Sequence, residues 1–218
     1  MKKLSLAASL LLLSSTVALA DSSSIKDAFS KGTVAGDISA YSVMTDAKGG
    51  TADSGFTSVG TSLSYTTASY MGLTAKIGFV AASDIDEVED NDSADLADNS
   101  ILSEANVTYA QDTFSVTVGR QAIDLEWLGD YNEAIVVATT VIPDTTLVLG
   151  YTDKQAVAGV DEISAEFGDV NGSKGAYVID AKFTGVEGLE LNPYYYTASD
   201  AANYYGLKAT YSTDMFAA

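Results

Sequence analysis

The chain has 218 residues, with 30 acidic side chains against 11 basic ones, a formal net charge of −19, and neither cysteine nor histidine. Such a balance repels nucleic acid and anionic surfaces and suits the attraction of cations. The two missing residue types exclude disulfides, thiolate metal sites and a lipoprotein anchor, and remove the commonest general base and metal ligand. Because 47% of the residues are hydrophobic, the acid cannot be spread evenly as in a disordered chain and must be gathered in loops, leaving the remainder apolar on one side.

Met1-Lys2-Lys3 is followed by an apolar run from Leu4 to Leu13 and by Val17-Ala18-Leu19-Ala20. A positive start, a short apolar stretch and an Ala-x-Ala site predict a Sec signal peptide over residues 1–20. The run is shorter than the roughly 20 residues of a spanning helix, and no later run approaches about 18, so the mature chain is expected to be exported without a helical anchor. Residues 21–31, DSSSIKDAFSK, are expected to form a polar periplasmic lead-in with one helical turn at Ile25 to Phe29, the alternative being a small plug.

From residue 32 to residue 218 the pattern is that of strands. The first is expected over Gly32 to Thr45, followed by a loop from Asp46 to Gly55 that holds Gly49-Gly50. The second runs from Phe56 to Thr67, and after a turn at Ala68 to Gly72 the third runs from Leu73 to Ala81. In the third strand Leu73, Ala75, Ile77 and Phe79 oppose Thr74, Lys76 and Gly78. A lysine in mid-strand suits a sheet whose second face meets water rather than a dry core. Ser83 to Ser100 is the longest acidic stretch; it lacks the glycine of an EF-hand loop and reads as a solvated loop, the alternative being a cation-gathering one.

Two strands follow, joined by a turn at Gln111-Asp112-Thr113. Ala105, Val107 and Tyr109 oppose Glu104, Asn106 and Thr108 in the first, and Phe114, Val116 and Val118 oppose Ser115, Thr117 and Gly119 in the second. This two-residue period is that of a strand with one greasy and one wet side. Arg120 falls on the apolar parity at a strand end, where its long side chain can reach water. Trp127 suits either an interfacial aromatic girdle or packing at a loop base. The sixth strand, Asn132 to Thr140, has no alternation over Ala134 to Ala138. Ile142-Pro143-Asp144-Thr145 makes a tight turn, the seventh strand covers Thr146 to Tyr151, and Thr152 to Lys174 reads as a long connection in which Glu162 to Phe167 forms a short strand extension or a surface turn.

The last three strands, Gly175 to Phe183, Leu189 to Thr197 and Tyr204 to Tyr211, each carry a mid-strand charge on the face opposite their apolar residues. The fold class is therefore all-β: an antiparallel up-and-down transmembrane β-barrel of about ten strands, or part of a larger one, with short turns at one end and long loops at the other.

Several short motifs resemble the Opr (OprD-like) outer-membrane porins of Campylobacter-type bacteria. They are Ala28-Phe29-Ser30-Lys31-Gly32, Tyr70-Met71-Gly72-Leu73, Leu102-Ser103-Glu104-Ala105, Val118-Gly119-Arg120-Gln121, Ile142-Pro143-Asp144-Thr145-Thr146-Leu147, Val186-Glu187-Gly188-Leu189 and Tyr194-Tyr195-Tyr196. The resemblance implies passive uptake of small solutes through a barrel with about twice this many strands. The chain finishes on Met215-Phe216-Ala217-Ala218 rather than on an aromatic residue, so it is expected to be an N-terminal part of such a porin or a shortened member.

The functional expectation is an outer-membrane porin that passes small hydrophilic solutes or ions. Its wall would be lined by Lys76, Glu104, Asn106, Asp180, Lys182, Glu190 and Lys208, because charges facing a pore set its selectivity. The alternative is a non-conducting structural or adhesive barrel with cation-binding acidic loops. An enzyme is not expected, since without histidine no Ser-His or Asp-His arrangement can be built and no carboxylate pair stands out. No cofactor and no nucleic acid are expected; the partners are outer-membrane lipid and small solutes or ions, with homo-oligomer formation open.

Overall fold

A computed structural model describes residues 21–48, 52–89 and 92–212. The expected signal peptide, Gly49-Gly50 and Met215-Phe216-Ala217-Ala218 lie outside them. One short helix, α1 (Ile25–Ser30), precedes the strands β1 (Thr33–Thr45), β2 (Ser54–Thr66), β3 (Leu73–Glu87), β4 (Asp95–Leu96), β5 (Ser100–Gln111), β6 (Phe114–Ala122), β7 (Tyr131–Thr139), β8 (Thr145–Ala156), β9 (Glu162–Ile163), β10 (Gly168–Asp169), β11 (Ala176–Val186), β12 (Leu189–Ala198) and β13 (Ala202–Tyr211). Ten of these are long, and they lie side by side in the order β1-β2-β3-β5-β6-β7-β8-β11-β12-β13, each antiparallel to its neighbours. The all-β up-and-down meander expected from the alternation is thus the observed one. Among the described residues β1 and β13 each pair on one side only.

Cross-strand register fixes which side chains share a face. Leu63, Phe79 and Leu102 are aligned, as are Val107 with Val118, Val118 with Ile135, and Leu149 with Ile179 and Tyr195. The large members of this face are exposed, from Val34 and Ile38 on β1 through Ile77, Val118 and Ile179 to Leu207 and Tyr205, the last at 78%. A continuous exposed apolar face of this extent is the outer belt of a membrane barrel. The opposite face carries the small, hydroxylic and charged residues.

The short-turn end holds the connections 67–72, 112–113, 140–144 and 187–188. Gln111 pairs with Phe114, so the turn between β5 and β6 has two residues, Asp112 and Thr113, rather than the three expected. Helix α1 docks at this same end. Ser24 caps it by accepting from the Asp27 amide at 3.1 Å, and Ala28 is buried with its carbonyl accepting from Ala68 N at 3.0 Å. The Lys31 ammonium and the Ser23 amide hold the Asp27 carboxyl below its usual range. The helix therefore sits at the rim and does not plug the interior.

At the other end the strands overrun the sequence expectation. β3 continues through Asp84 and Asp86 to Glu87, paired with β2 as far as Phe56, so the first part of the acidic stretch 83–100 is strand and not loop. β8 likewise continues to Ala156, and the connection 152–174 contains β9 and β10. Backbone pairing continues there although the outward apolar pattern has stopped, because a ladder that hydrocarbon makes obligatory can also extend into water.

The belt generates a prediction. Lysine at the membrane midplane costs about 2–4 kcal/mol on the lipid side, so Ile77→Lys should shift the urea midpoint of folding into vesicles strongly downward. Ser64→Lys, on the opposite face, should shift it little. Equal effects would mean the two faces have been interchanged.

Candidate functional site: the polar face and its two infolded loops

The polar face is built in pairs. Lys76 on β3 reaches Glu104 Oε2 on β5 at 2.8 Å. A bulge puts both Ser103 and Glu104 on this side, since Gly78 pairs with Glu104 while Phe79 pairs with Leu102. Asn106 donates through Nδ2 to Arg120 O at 2.7 Å. On the far side Asp180 of β11 is buried at 5% exposure and accepts from Asn192 Nδ2 at 2.7 Å and from the Tyr196 hydroxyl at 2.6 Å. Lys182 lies 3.3 Å from Glu190 Oε1, and Lys208 lies 2.7 Å from Glu126 Oε2. The structure thus gathers the seven candidates into two groups on one face. Lys76, Glu104 and Asn106 lie on β3 and β5; Asp180, Lys182, Glu190 and Lys208 lie on β11 to β13.

Two loops fold over this face. Residues 123–130 form a tight excursion closed by Ile123 N to Asp130 O and Leu125 N to Leu128 O, both 2.8 Å. Ile123, Leu125 and Leu128 press on Ala134, Val136, Ala138 and Val148 of β7 and β8. The tip continues across to β13, where Trp127 stacks on Tyr204 with ring centroids 5.1 Å apart and Glu126 meets Lys208. β13 is four strands from β7 in the sheet, so this contact requires the sheet to curl and the loop to run as a chord beneath it.

The second loop, 157–169, leaves β8 and reaches the opposite wall. Ile163, at 0% exposure, and Phe167 pack with Val80, Ala82 and Ile101 of β3 and β5. Ser58 of β2 donates through its hydroxyl to Val160 O at 2.7 Å. Val160 also lies against Gly60, where a Cβ would stand 3.2 Å from it, so glycine makes room for the approach. β9 of this loop pairs in parallel with β4, tying in the 88–99 connection.

The wall formed by β1, β2, β3, β5 and β7 also holds a pocket in which polar side chains stand among Ala35, Leu63, Phe79 and Val80. This cavity of about 290 Å³ is bordered by Asp37, Ser62, Lys76, Ser103, Glu104 and Tyr131. Arg120 donates through Nε to Glu133 Oε1 at 2.8 Å and through a terminal nitrogen to Leu102 O at 3.2 Å, with its guanidinium 4.2 Å from the centre of the Phe167 ring. Its side chain therefore lies on the Phe167 side and does not reach for external water. Gly119, at φ +115°, departs from extended geometry just before it, and a Cβ there would strike the Ala105 carbonyl oxygen. Trp127 belongs to the infolded loop and not to an interfacial girdle. Tyr204 shares its inward side, while Tyr205 faces outward.

The lining residues that sequence reasoning missed are Arg120 with Glu133, Glu126, Trp127, Tyr131 and Asp37. One signal was available: the unbroken apolar run Ala134 to Ala138 marks a strand covered on both faces, by lipid outside and by the 123–130 loop inside. Among the described residues no three acidic side chains converge as a metal site.

A protein-family model described as "Putative outer membrane protein" matches residues 14–216. No curated protein matches the chain in a sequence search. Among solved structures, OccAB1 of Acinetobacter baumannii is similar with a TM-score of 0.63 at 16% identity, covering 83% of this chain and 47% of that one. OccK8 (OprE) of Pseudomonas aeruginosa gives 0.62 at 15% identity, over 84% and 50%. OccD3 (OpdP) of the same organism gives 0.61 at 16% identity, over 83% and 44%. The chain thus spans about half the length of the solved structures it matches, and shares their fold.

Burial of Ile163 is the clearest anchor of the second loop. Ile163→Ala, which removes a fully enclosed side chain at about 2–5 kcal/mol, should open residues 157–169 to proteinase K while the strands stay protected. Unchanged cleavage would show that the loop is held by something other than this contact.

Proposed function

Because the chain belongs to the outer-membrane protein family whose model spans residues 14–216, and so resides in the outer membrane, we propose that it is a porin in which small hydrophilic solutes or ions cross passively along the polar face. The observation that carries this reading is the apolar outer face that runs across the ten long strands, set against an inner face that is polar except where β3, β5, β7 and β8 seat the two infolded loops. A structural barrel needs the first property but gains nothing from loops that narrow a polar passage. The similarity to Occ-type structures supports the same fold.

In this role the wall residues act by position. Lys76, Glu104 and Asn106 on one side and Asp180, Lys182, Glu190 and Lys208 on the other present charge and hydrogen-bonding groups to a passing solute, replacing part of its hydration. The 123–130 loop narrows the passage, held by the Trp127 stack and the Glu126 ion pair at its tip. No bond is made or broken, so the protein works without a catalytic group or cofactor. Passage in the membrane also requires that the sides of β1 and β13 that carry no ladder among the described residues be paired, because unpaired amides and carbonyls do not persist in hydrocarbon.

Reconstituted into planar bilayers, the full chain should give discrete conductance steps. The double variant Glu126→Ala/Trp127→Ala, which cuts the loop tip from β13, should raise the step size by about twofold if the loop narrows the path. Unchanged steps would remove the loop from the passage, and the absence of steps would remove the porin reading.

A further inference from the structure

Resting on the porin reading, we propose that Tyr196 is a positioning residue: its buried hydroxyl, oriented by Asp180, seats the main chain of the 123–130 loop at Glu126 and Trp127 and so fixes the width of the passage. The side chain stands at 6% exposure on β12, and its ring packs edge-on against Tyr194 with centroids 5.8 Å apart. Its one proton goes to Asp180 Oδ2 on β11 at 2.6 Å. Asp180 is held in turn, since its Oδ1 accepts from Asn192 Nδ2, which also donates to Ala181 O at 2.8 Å. A phenol whose proton is already committed can act at its oxygen only as an acceptor.

The loop supplies what that oxygen lacks. Its main chain is closed by Ile123 N to Asp130 O and Leu125 N to Leu128 O, and the Glu126 and Trp127 amides between them find no main-chain acceptor among the described residues. An amide withdrawn from bulk water requires a partner. Both amides approach the Tyr196 hydroxyl, so that two donors without an acceptor meet one acceptor without a donor. The other contacts of the tip, Trp127 on Tyr204 and Glu126 on Lys208, hold side chains to β13. The hydroxyl holds the backbone to β12. Side chains can swing about a free backbone, so this seat is what makes the tip a fixed wall of the water path.

Trp127 is the chain's single tryptophan, so its emission reports the loop tip alone. In the detergent-folded full chain, Tyr196→Phe keeps the ring and removes the hydroxyl. Trp127 anisotropy should then fall, its quenching by acrylamide should rise, and in planar bilayers the conductance step should grow. Tyr194→Phe removes a neighbouring hydroxyl that lies against Gly206 rather than the loop, and should change none of the three. Unaltered Trp127 signals in Tyr196→Phe, or the same change in both variants, would overturn the proposal. So would steps that keep their size while the tip is released. Amide hydrogen exchange needs no variant: in the unmodified chain Glu126 and Trp127 should exchange slowly, as strand amides do, although they lie in a loop. Exchange at the rate of an open turn overturns the seat even where Tyr196→Phe does not fold. Tip signals that respond as expected in a chain without conductance would leave the seat standing and remove the porin reading.

Discussion

Hydrocarbon offers no partner to an amide or a carbonyl, and the rest of this molecule follows from that restriction. A chain without a long apolar helix can cross a bilayer only by satisfying its backbone between strands. The ladder from β1 to β13 does this at every internal strand. Once the backbone is settled, side-chain parity decides what each face meets. Val118 and Ile135, aligned on neighbouring strands, can face lipid only because Thr117 and Val136, aligned one position earlier and later, face the other way. The same restriction bears on β1 and β13, whose outward apolar residues Ile38 and Leu207 place them at belt depth while one side of each strand carries no ladder among the described residues.

A curved sheet with a polar concave face is still wide, and the loops are what reduce it. Their attachment is hydrophobic although their destination is wet. The 123–130 loop rests on alanines and valines of β7 and β8, and the 157–169 loop on Val80, Ala82 and Ile101. Fully burying a side chain such as Ile163 contributes about 1.5–3 kcal/mol. Half-exposed ion pairs such as the one between Glu126 and Lys208 contribute about 0–1 kcal/mol. Apolar contacts therefore hold the loops in place, and the ion pair sets where the tip of the first one lands.

Much of the architecture was legible because alternation is a local signal. The parities of Lys76, Glu104 and Asn106, and of Asp180, Lys182, Glu190 and Lys208, are read from neighbours one and two positions away, and the structure puts all seven on the inner side. What was not legible depends on contacts between distant segments. Nothing near Trp127 says that Tyr204 will lie against it, and nothing near Arg120 announces Phe167. Arg120 shows a second limit: its strand parity pointed outward, but the positive φ of Gly119 ends the simple period one residue before it. The bulge at Ser103 defeats counting in the same way. Strand ends were misjudged for a different reason, since the acidic residues of β3 look like loop by composition although they still pair with β2.

The ion pairs on the wall raise a question of purpose that stability does not answer. Pairs such as Lys182 with Glu190, both near half exposure, are worth too little to have been placed for folding. In the proposed porin their effect would be larger, because a lone lysine beside a narrow water path repels every cation that approaches, whereas a lysine beside a carboxylate presents a dipole whose influence falls off within a few ångströms. Pairing would therefore let the wall of the proposed porin keep long, hydrogen-bonding side chains beside the water path at little electrostatic cost.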